Sequence, residues 1–425
     1  MTDEPRWYAA VDWASQNHHV FLADGAGTRI AEKIFLHSGQ GLAEMADWLL
    51  AKSGAGAPGQ IHVAIEVPHG PVVETLMERQ FCVYAINPKQ LDRFRDRFSM
   101  SGAKDDSRDA ETMTSGLRTD PRAFRRLTAM APLVIELREW SRIAEDLGQE
   151  RLRLTNRMRE LFWRYFPALL ELDDDLGAEW LLDLWQAAPT PAKAGRIQKV
   201  TVERILKRYR IRRFDAAHVR GVLRQPPVSV ADGTTAAAQG HVATLIARIR
   251  LLNGQIRDAG KTLDRLTAQL AASPDTGIEE TSAEESGPGQ GKQHDVTILA
   301  SLPGVGRIVL ATLLAEGWDA LQRRDYAALR SLTGVAPVTK RSGKSLIVIR
   351  RQACHPRLAN AMYHWARVAM QTDSISKAKY ATLRGRGHSH GRALRSLGDR
   401  LLNVACAMLK SGTTFNPSLA AQNGT

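Results

Sequence analysis

Three rhythms of apolar and polar residues divide this chain of 425 residues. Up to about residue 120, apolar residues come in short runs bounded by turn formers. Such runs predict strands at Trp7–Asp12, His18–Ala23, Ile30–Phe35, Ile61–Glu66 and Cys82–Ile86. Apolar residues three and four apart predict helices around Leu42–Leu50, Val72–Arg79, Pro88–Phe98 and Asp106–Leu117. Asp24 to Gly27 predict a hairpin turn between the second and third strands.

The second rhythm is a sustained heptad. Leu133, Leu137, Trp140, Ala144, Leu147, Arg151, Leu154, Met158, Leu161 and Tyr165 alternate four and three apart, between Pro132 and Pro167. Such a helix would be roughly 50 Å long at 1.5 Å per residue. Ala238, Val242, Leu245, Ile249, Leu252, Ile256, Ala259, Leu263, Leu266 and Leu270 repeat the spacing. Sustained heptads predict coiled-coil packing, with each other or with another subunit, and a plain bundle core stays open. Residues 273–294 lose all periodicity and are rich in Gly, Ser, Glu and Pro, the composition of a flexible linker. The third rhythm, helical again, follows. These patterns predict an α/β domain over 1–120, a helical coiled-coil and basic region over 121–272, the linker over 273–294, and a mainly α-helical domain over 295–425.

Charge changes the picture. Lys and Arg number 58 against 45 Asp and Glu, a net +13, which points to a polyanionic partner. The longest apolar stretch is broken at Pro303 and Gly304, so no membrane span is expected. The first residues lack a basic region followed by an apolar one, so no secretory signal is expected. Cys82, Cys354 and Cys406 are few and scattered, which fits a cytoplasmic location and excludes a cysteine-based zinc site.

Within the first segment, Asp12 and Glu66 each end an apolar strand, and Asp106 and Asp109 lie three apart on one helical face. A three-strand meander followed by αβαβα, with acids at those places, is the layout of a ribonuclease-H-like nuclease domain. Converging carboxylates repel unless a cation neutralises them, and oxygen-only ligands select Mg²⁺ or Mn²⁺. Singly, each acid reads first as a turn or helix-start residue, and only the ordered set reads as a metal site.

Two further regions carry candidate phosphate contacts. Arg204 to Phe214 interleaves Arg208, Arg210, Arg212 and Arg213 with aromatic residues, as nucleic-acid contacts require, although solvated helix faces also look like this. Ile298 to Gly306 predicts a helix-hairpin-helix turn whose glycines approach a phosphate. Downstream, Ser342 is followed by Gly343 and flanked by Lys340, Arg341 and Lys344, with Arg350, Arg351 and Arg357 beyond. A serine hydroxyl needs deprotonation and charge neutralisation to attack a phosphate, so taken alone this is a basic loop.

Asp12, Glu66 and the run Lys104 to Ala110 resemble the DEDD nuclease-like domain of a family of insertion-sequence transposases. Leu302 to Gly306, Leu332 to Pro337 and Ser342–Gly343 resemble that family's second domain. Pilin-gene invertases belong to the same family. The resemblance implies a RuvC-like domain whose acids Asp12, Glu66, Asp106 and Asp109 hold Mg²⁺, and a second domain whose Ser342 attacks the DNA. It implies strand exchange through a phosphoserine linkage, double-stranded DNA partners (donor and target), a homo-oligomer such as a dimer or tetramer, and in some members a structured guide RNA. Two departures from the family pattern occur. Asp105 stands where Thr is usual, beside Asp106, and the spacing around Cys354 to Arg357 is altered. The competing readings are a water-using, structure-selective nuclease built on the same acids and a non-catalytic nucleic-acid-binding protein.

Overall fold

The computed structural model describes residues 7–98, 106–231, 233–273, 294–343 and 345–416, with the backbone alone at 97, 98 and 106. The chain divides into two compact units, Met1–Met130 and Ala131–Thr425.

The first unit contains β1 (Trp7–Trp13), β2 (Asn17–Asp24), β3 (Arg29–Leu36), α1 (Gly39–Ser53), β4 (Ile61–Ile65), α2 (Pro71–Glu78), β5 (Cys82–Ala85), α3 (Pro88–Phe98), α4 (Asp106–Thr119) and β6 (Arg125–Arg126). The strands form one sheet in the order β3-β2-β1-β4-β5-β6. β1, β2 and β3 run antiparallel as a meander, whereas β1, β4 and β5 are parallel. Parallel neighbours need crossovers, and α1 and α2 supply them. The expected strands and helices are all present, with ends displaced by a few residues. Strand alternation gives the sheet two apolar faces. Val11, Val63 and Ile65 share one core with Met45 and Leu49 of α1 and Leu76 of α2. Ala10, Ala64 and Phe21 share the other with Leu91 of α3 and Ala110, Met113 and Leu117 of α4.

The second unit is mainly helical. Its elements are α5 (Pro132–Tyr165), α6 (Glu179–Ala187), α7 (Pro191–Gly195), α8 (Lys199–Arg208), α9 (Ala216–Leu223), α10 (Thr234–Ala272), α11 (Asp295–Ala300), α12 (Arg307–Glu316), α13 (Trp318–Gln322), α14 (Tyr326–Leu332), β7 (Val338–Ser342), β8 (Ser345–Ile349), α15 (Pro356–Thr372), α16 (Ser374–Gly385) and α17 (His390–Ser411). The expected helical middle and C-terminal segment therefore lie together in one unit. The expected linker falls at 274–293, outside the described residues.

The two long heptad helices, α5 and α10, pack against each other within the chain. On α10 the heptad positions Ala238, Val242, Leu245, Ile249, Leu252, Ala259, Leu263, Leu266 and Leu270 are buried. On α5 the heptad positions Leu137, Ala144, Leu154, Met158 and Tyr165 are buried, but Val134, Ser141 and Phe162 are buried in place of Leu133, Trp140 and Leu161. The reason is that α5 also serves other neighbours. Its C-terminal half joins a wide core with α6, α8, α9 and the first half of α10, and α12 packs on it as well. No helix among the described residues is long and apolar enough to cross a membrane.

Glu316, ending α12, fastens α5 and α15 to this unit. Its carboxylate accepts from Arg142 Nε at 3.0 Å and pairs with Arg357 at 3.2 Å. Arg357 also reaches Glu145 at 3.1 Å and donates to Ser141 Oγ at 3.1 Å. Arg357 is thus an internal clamp rather than one of the solvent-facing cations of the basic loop.

Candidate functional site

The acids of the first unit are placed by the register of two parallel strands. Val11 of β1 pairs with Ile65 of β4, so Asp12 and Glu66 each lie one residue beyond that pair, at neighbouring strand ends. Both are half-buried. By alternation, Asp12 falls on the face of Ala10 and Glu66 continues that of Ala64, the face covered by α3 and α4. α4 begins at Asp106, whose side chain lies outside the described atoms, as does the whole of Asp105. Asp109, one turn in, is buried at 3 % exposure, beside Ala110 of the same core.

Asp109 has a partner that the sequence pattern did not show. Arg95 of α3 donates to both its oxygens, from Nε at 2.6 Å and Nη2 at 2.7 Å. Arg95 also reaches Asp92 at 2.5 Å. The hydrogen bond to Asp109 is the main cause holding the Arg95 guanidinium above its ordinary pKa. Arg95 lies four residues after the buried Leu91, hence on the same helical face, which was the available signal.

A second network adjoins Asp12. His19 is its cross-strand partner on β2, and His19 bonds Glu32 of β3. Glu32 accepts from Ser107 Oγ of α4 at 2.6 Å and pairs with Arg29 at 2.7 Å. Burial would push the Glu32 carboxyl up, but Ser107, His19 and Arg29 together hold it below the usual range. Glu32 thereby ties the start of α4 to the meander. Sequence reasoning missed it because a glutamate inside an amphipathic strand reads as solvent-facing.

The donor chemistry of Asp12, Glu66 and Asp109 is oxygen-only and fits a hard divalent cation. Asp12 and Glu66 share one place; Asp109 is engaged by Arg95. Among the described residues no three His, Cys, Asp or Glu side chains gather as a metal cluster.

Ser342 belongs to the second unit and ends β7 of a two-stranded hairpin. It pairs directly with Ser345, so the two hydroxyls sit on one face at the tip. Gly343 in the turn has φ +54°, a left-handed conformation suited to glycine. Lys344 lies outside the described residues. Lys340 shares the face of Ser342, whereas Arg341 points to the other. Ser342, Lys340, Arg341 and Arg350 are exposed, and Arg351 is half-buried with Nε donating to Ala336 O at 3.3 Å. The hairpin also exposes Leu346 at 64 % and Ile347 and Val348 at 55 %.

The basic run divides in two. Arg208 pairs with Asp183 at 3.3 Å, and Arg213 pairs with Asp173 at 2.5 Å beside the ring of Phe214. Arg210 and Arg212 are exposed and make no ion pair among the described residues. Tyr209, Ile211 and Phe214 pack on the helical core, so the aromatics of the run face inward. The expected phosphate-approaching turn serves another contact. Gly304 has φ +81°, and a Cβ there would lie 2.6 Å from the backbone N of Ala369. Trp365 Nε1 donates to Pro303 O at 2.9 Å, so this turn seats α15.

The comparisons with known proteins agree with one another. A transposase family model of the DEDD type matches residues 9–167, and a model described as "Transposase IS116/IS110/IS902 family" matches residues 296–381. The chain is 32 % identical over 421 residues to "Mini-circle putative transposase for IS117" of Streptomyces coelicolor, covering 97 % of this chain and 96 % of that protein. It is 71 % identical over 216 residues to "Putative transposase y4uE" of Sinorhizobium fredii, a match spanning 51 % of this chain and 60 % of that relative. An IS110 element protein of Streptomyces coelicolor, of 43.6 kDa, is 26 % identical over 99 % of this chain and 98 % of its own length. The acids and the serine-bearing hairpin lie inside the two matched regions, and the chain belongs to the IS116/IS110/IS902 family of transposases, which are DNA-processing enzymes.

Proposed function

We propose that this transposase cuts and rejoins DNA through Ser342, with Asp12, Glu66, Asp106 and Asp109 holding Mg²⁺ or Mn²⁺. The observation that carries the acidic half is the placement of Asp12 and Glu66 at adjacent parallel strand ends on one face. The sheet order, an antiparallel meander followed by two parallel strands, supports the ribonuclease-H-like, RuvC-like reading of this unit. When bound, the cation polarises the scissile phosphate and offsets its developing charge. For Asp109 to join, it would exchange Arg95 for the ion, and Arg95 would keep Asp92 as its partner.

The hairpin supplies the nucleophile. The Ser342 oxygen bonds to phosphorus, its proton leaves, and the phosphorus–oxygen bond to one deoxyribose breaks, taking up a proton. The resulting phosphoserine conserves the ester, so attack by a deoxyribose hydroxyl reverses the step and rejoins strands without ATP. Exposure at a hairpin tip suits attack on a large polymer, and Lys340 on the same face suits a phosphate contact. The reading requires the acids and Ser342 to act on one phosphodiester, within a subunit or between two. The exposed apolar residues of β8 support assembly as a homo-oligomer on donor and target duplexes. Arg210 and Arg212 support contact with nucleic acid, including a structured guide RNA from the element.

Asp12→Asn and Glu66→Gln test the acidic half. Each should reduce cleavage of the element's own DNA ends by at least ~10²-fold, the scale on which metal chemistry fails, while the melting profile is kept. Wild-type cleavage rates in either variant would remove that carboxylate from the site.

A further inference from the structure

A cavity of ≈ 180 Å³ lies in the second unit, where the chain leaves β8 and meets α15 and the first turn of α17. Its floor is apolar, built from Val335, Met362 and Leu394, with Tyr363 beside them. Arg350, Arg351 and Arg395 stand around it. Arg395 lies beside the first turn of α17, with Nη1 3.5 Å from where a Cβ on Gly391 would be.

The charges around this cavity are uncompensated, unlike others in the unit. Arg330 is paired with Asp399 at 2.6 Å and Arg324 with Asp295 at 2.6 Å. No carboxylate among the described residues pairs with Arg350, Arg392 or Arg395. Burial, then the nearby charges of Arg350 and Arg392, hold the Arg395 guanidinium below its ordinary pKa. Three like charges gathered without a counter-ion are costly unless an anion completes them.

Apolar floor and cationic rim together match one nucleotide. A site for a drug-sized ligand occupies about 300–1,000 Å³, so this cavity takes a single base, not a duplex. The apolar wall and Tyr363 offer a surface for a base, and arginines suit its phosphate. Position adds to this. Val338 and Ile349 close the base of the hairpin and Ser342 and Ser345 its tip, four residues away, roughly 13 Å along a strand. We propose that the cavity holds one unstacked nucleotide of the DNA strand under attack, a few positions from the phosphate presented to Ser342. Its phosphate rests on Arg350 and Arg395, and its base lies on Val335, Met362 and Tyr363. The identity of that strand rests on the function proposed above.

Cys354 provides the readout, because it lines the cavity and is half-exposed, whereas Cys82 and Cys406 are buried. The rate of Cys354 alkylation by iodoacetamide is followed by mass spectrometry on the full-length protein, and DNA binding is measured in parallel. A single-stranded oligodeoxynucleotide should slow alkylation about tenfold more than the same strand with abasic sites or inorganic phosphate, since the base supplies the stacking. Arg395→Gln and, as a second and exposed position, Arg350→Gln should each remove most of that protection. Equal protection by the abasic strand or by phosphate would overturn the proposal in favour of a simple anion site. Equal protection by a fully paired duplex, or protection by RNA alone, would overturn it too. No protection while the protein still binds DNA would empty the cavity and leave the proposed function standing. No binding of DNA at all would remove both.

Discussion

Arg95 and Asp109 show how a single pair decides the state of a candidate site. The carboxylate is almost fully buried and both its oxygens are taken by one guanidinium. Removing the cation leaves a buried charge unpaired, so Arg95→Gln should cost about 3 kcal/mol, read as a fall in melting temperature. If Asp109 also serves the ion, millimolar Mg²⁺ should raise the melting temperature of this variant more than that of the wild type, because the ion replaces the lost partner. An equal response in both proteins would keep Asp109 out of the metal site. The acids themselves were legible as residues, since a carboxylate ending an apolar run is conspicuous. The pairing of Asp109 was not, because it depends on how α3 crosses α4, which local spacing does not encode.

Element by element, period-two runs and capped helices were legible because each pattern is local. The first-unit strands follow from alternation and its helices from three-and-four spacing, and β4 ends at Ile65, one residue short of Glu66. The long helices were legible too, but not all their contacts. A heptad template assumes one partner, whereas α5 packs on both α10 and α12 and shares a core with α6, α8 and α9, so part of its buried stripe shifts. Leu252 is buried at 4 % inside that core. Leu252→Asp should therefore unfold the second unit rather than split an oligomer, with a loss of about 3 kcal/mol or more in chemical denaturation. A folded, dissociated protein would instead place Leu252 at a subunit interface. The hairpin around Ser342 read only as a basic loop, because its exposed strands lack the one-sided burial that makes a strand recognisable. The arginine-lined cavity was invisible for a different reason: its walls come from residues 333–335, 350–363 and 391–395, which only tertiary packing brings together.

At the scale of the whole molecule, a net +13 is consistent with nucleic-acid binding but does not say which cations bind. The ion pairs sort them. Arg210→Glu with Arg212→Glu should weaken DNA or RNA binding and reduce the magnitude of the salt slope by about 2, one counterion released per phosphate contact. Affinity and slope equal to wild type would make that run a solvated surface. The central claim is that Ser342 in one unit performs the chemistry that the carboxylates of the other unit support. Its most direct test is to incubate the wild-type protein with cognate DNA and Mg²⁺, add any guide RNA of the element, digest the protein, and map the covalently linked peptide by mass spectrometry. The account predicts a nucleotide attached to Ser342, absent when Mg²⁺ is withheld and absent in Ser342→Ala, which should still bind DNA. An adduct on Ser345, its neighbour across the hairpin, or cleaved DNA with no adduct on any residue, would contradict it.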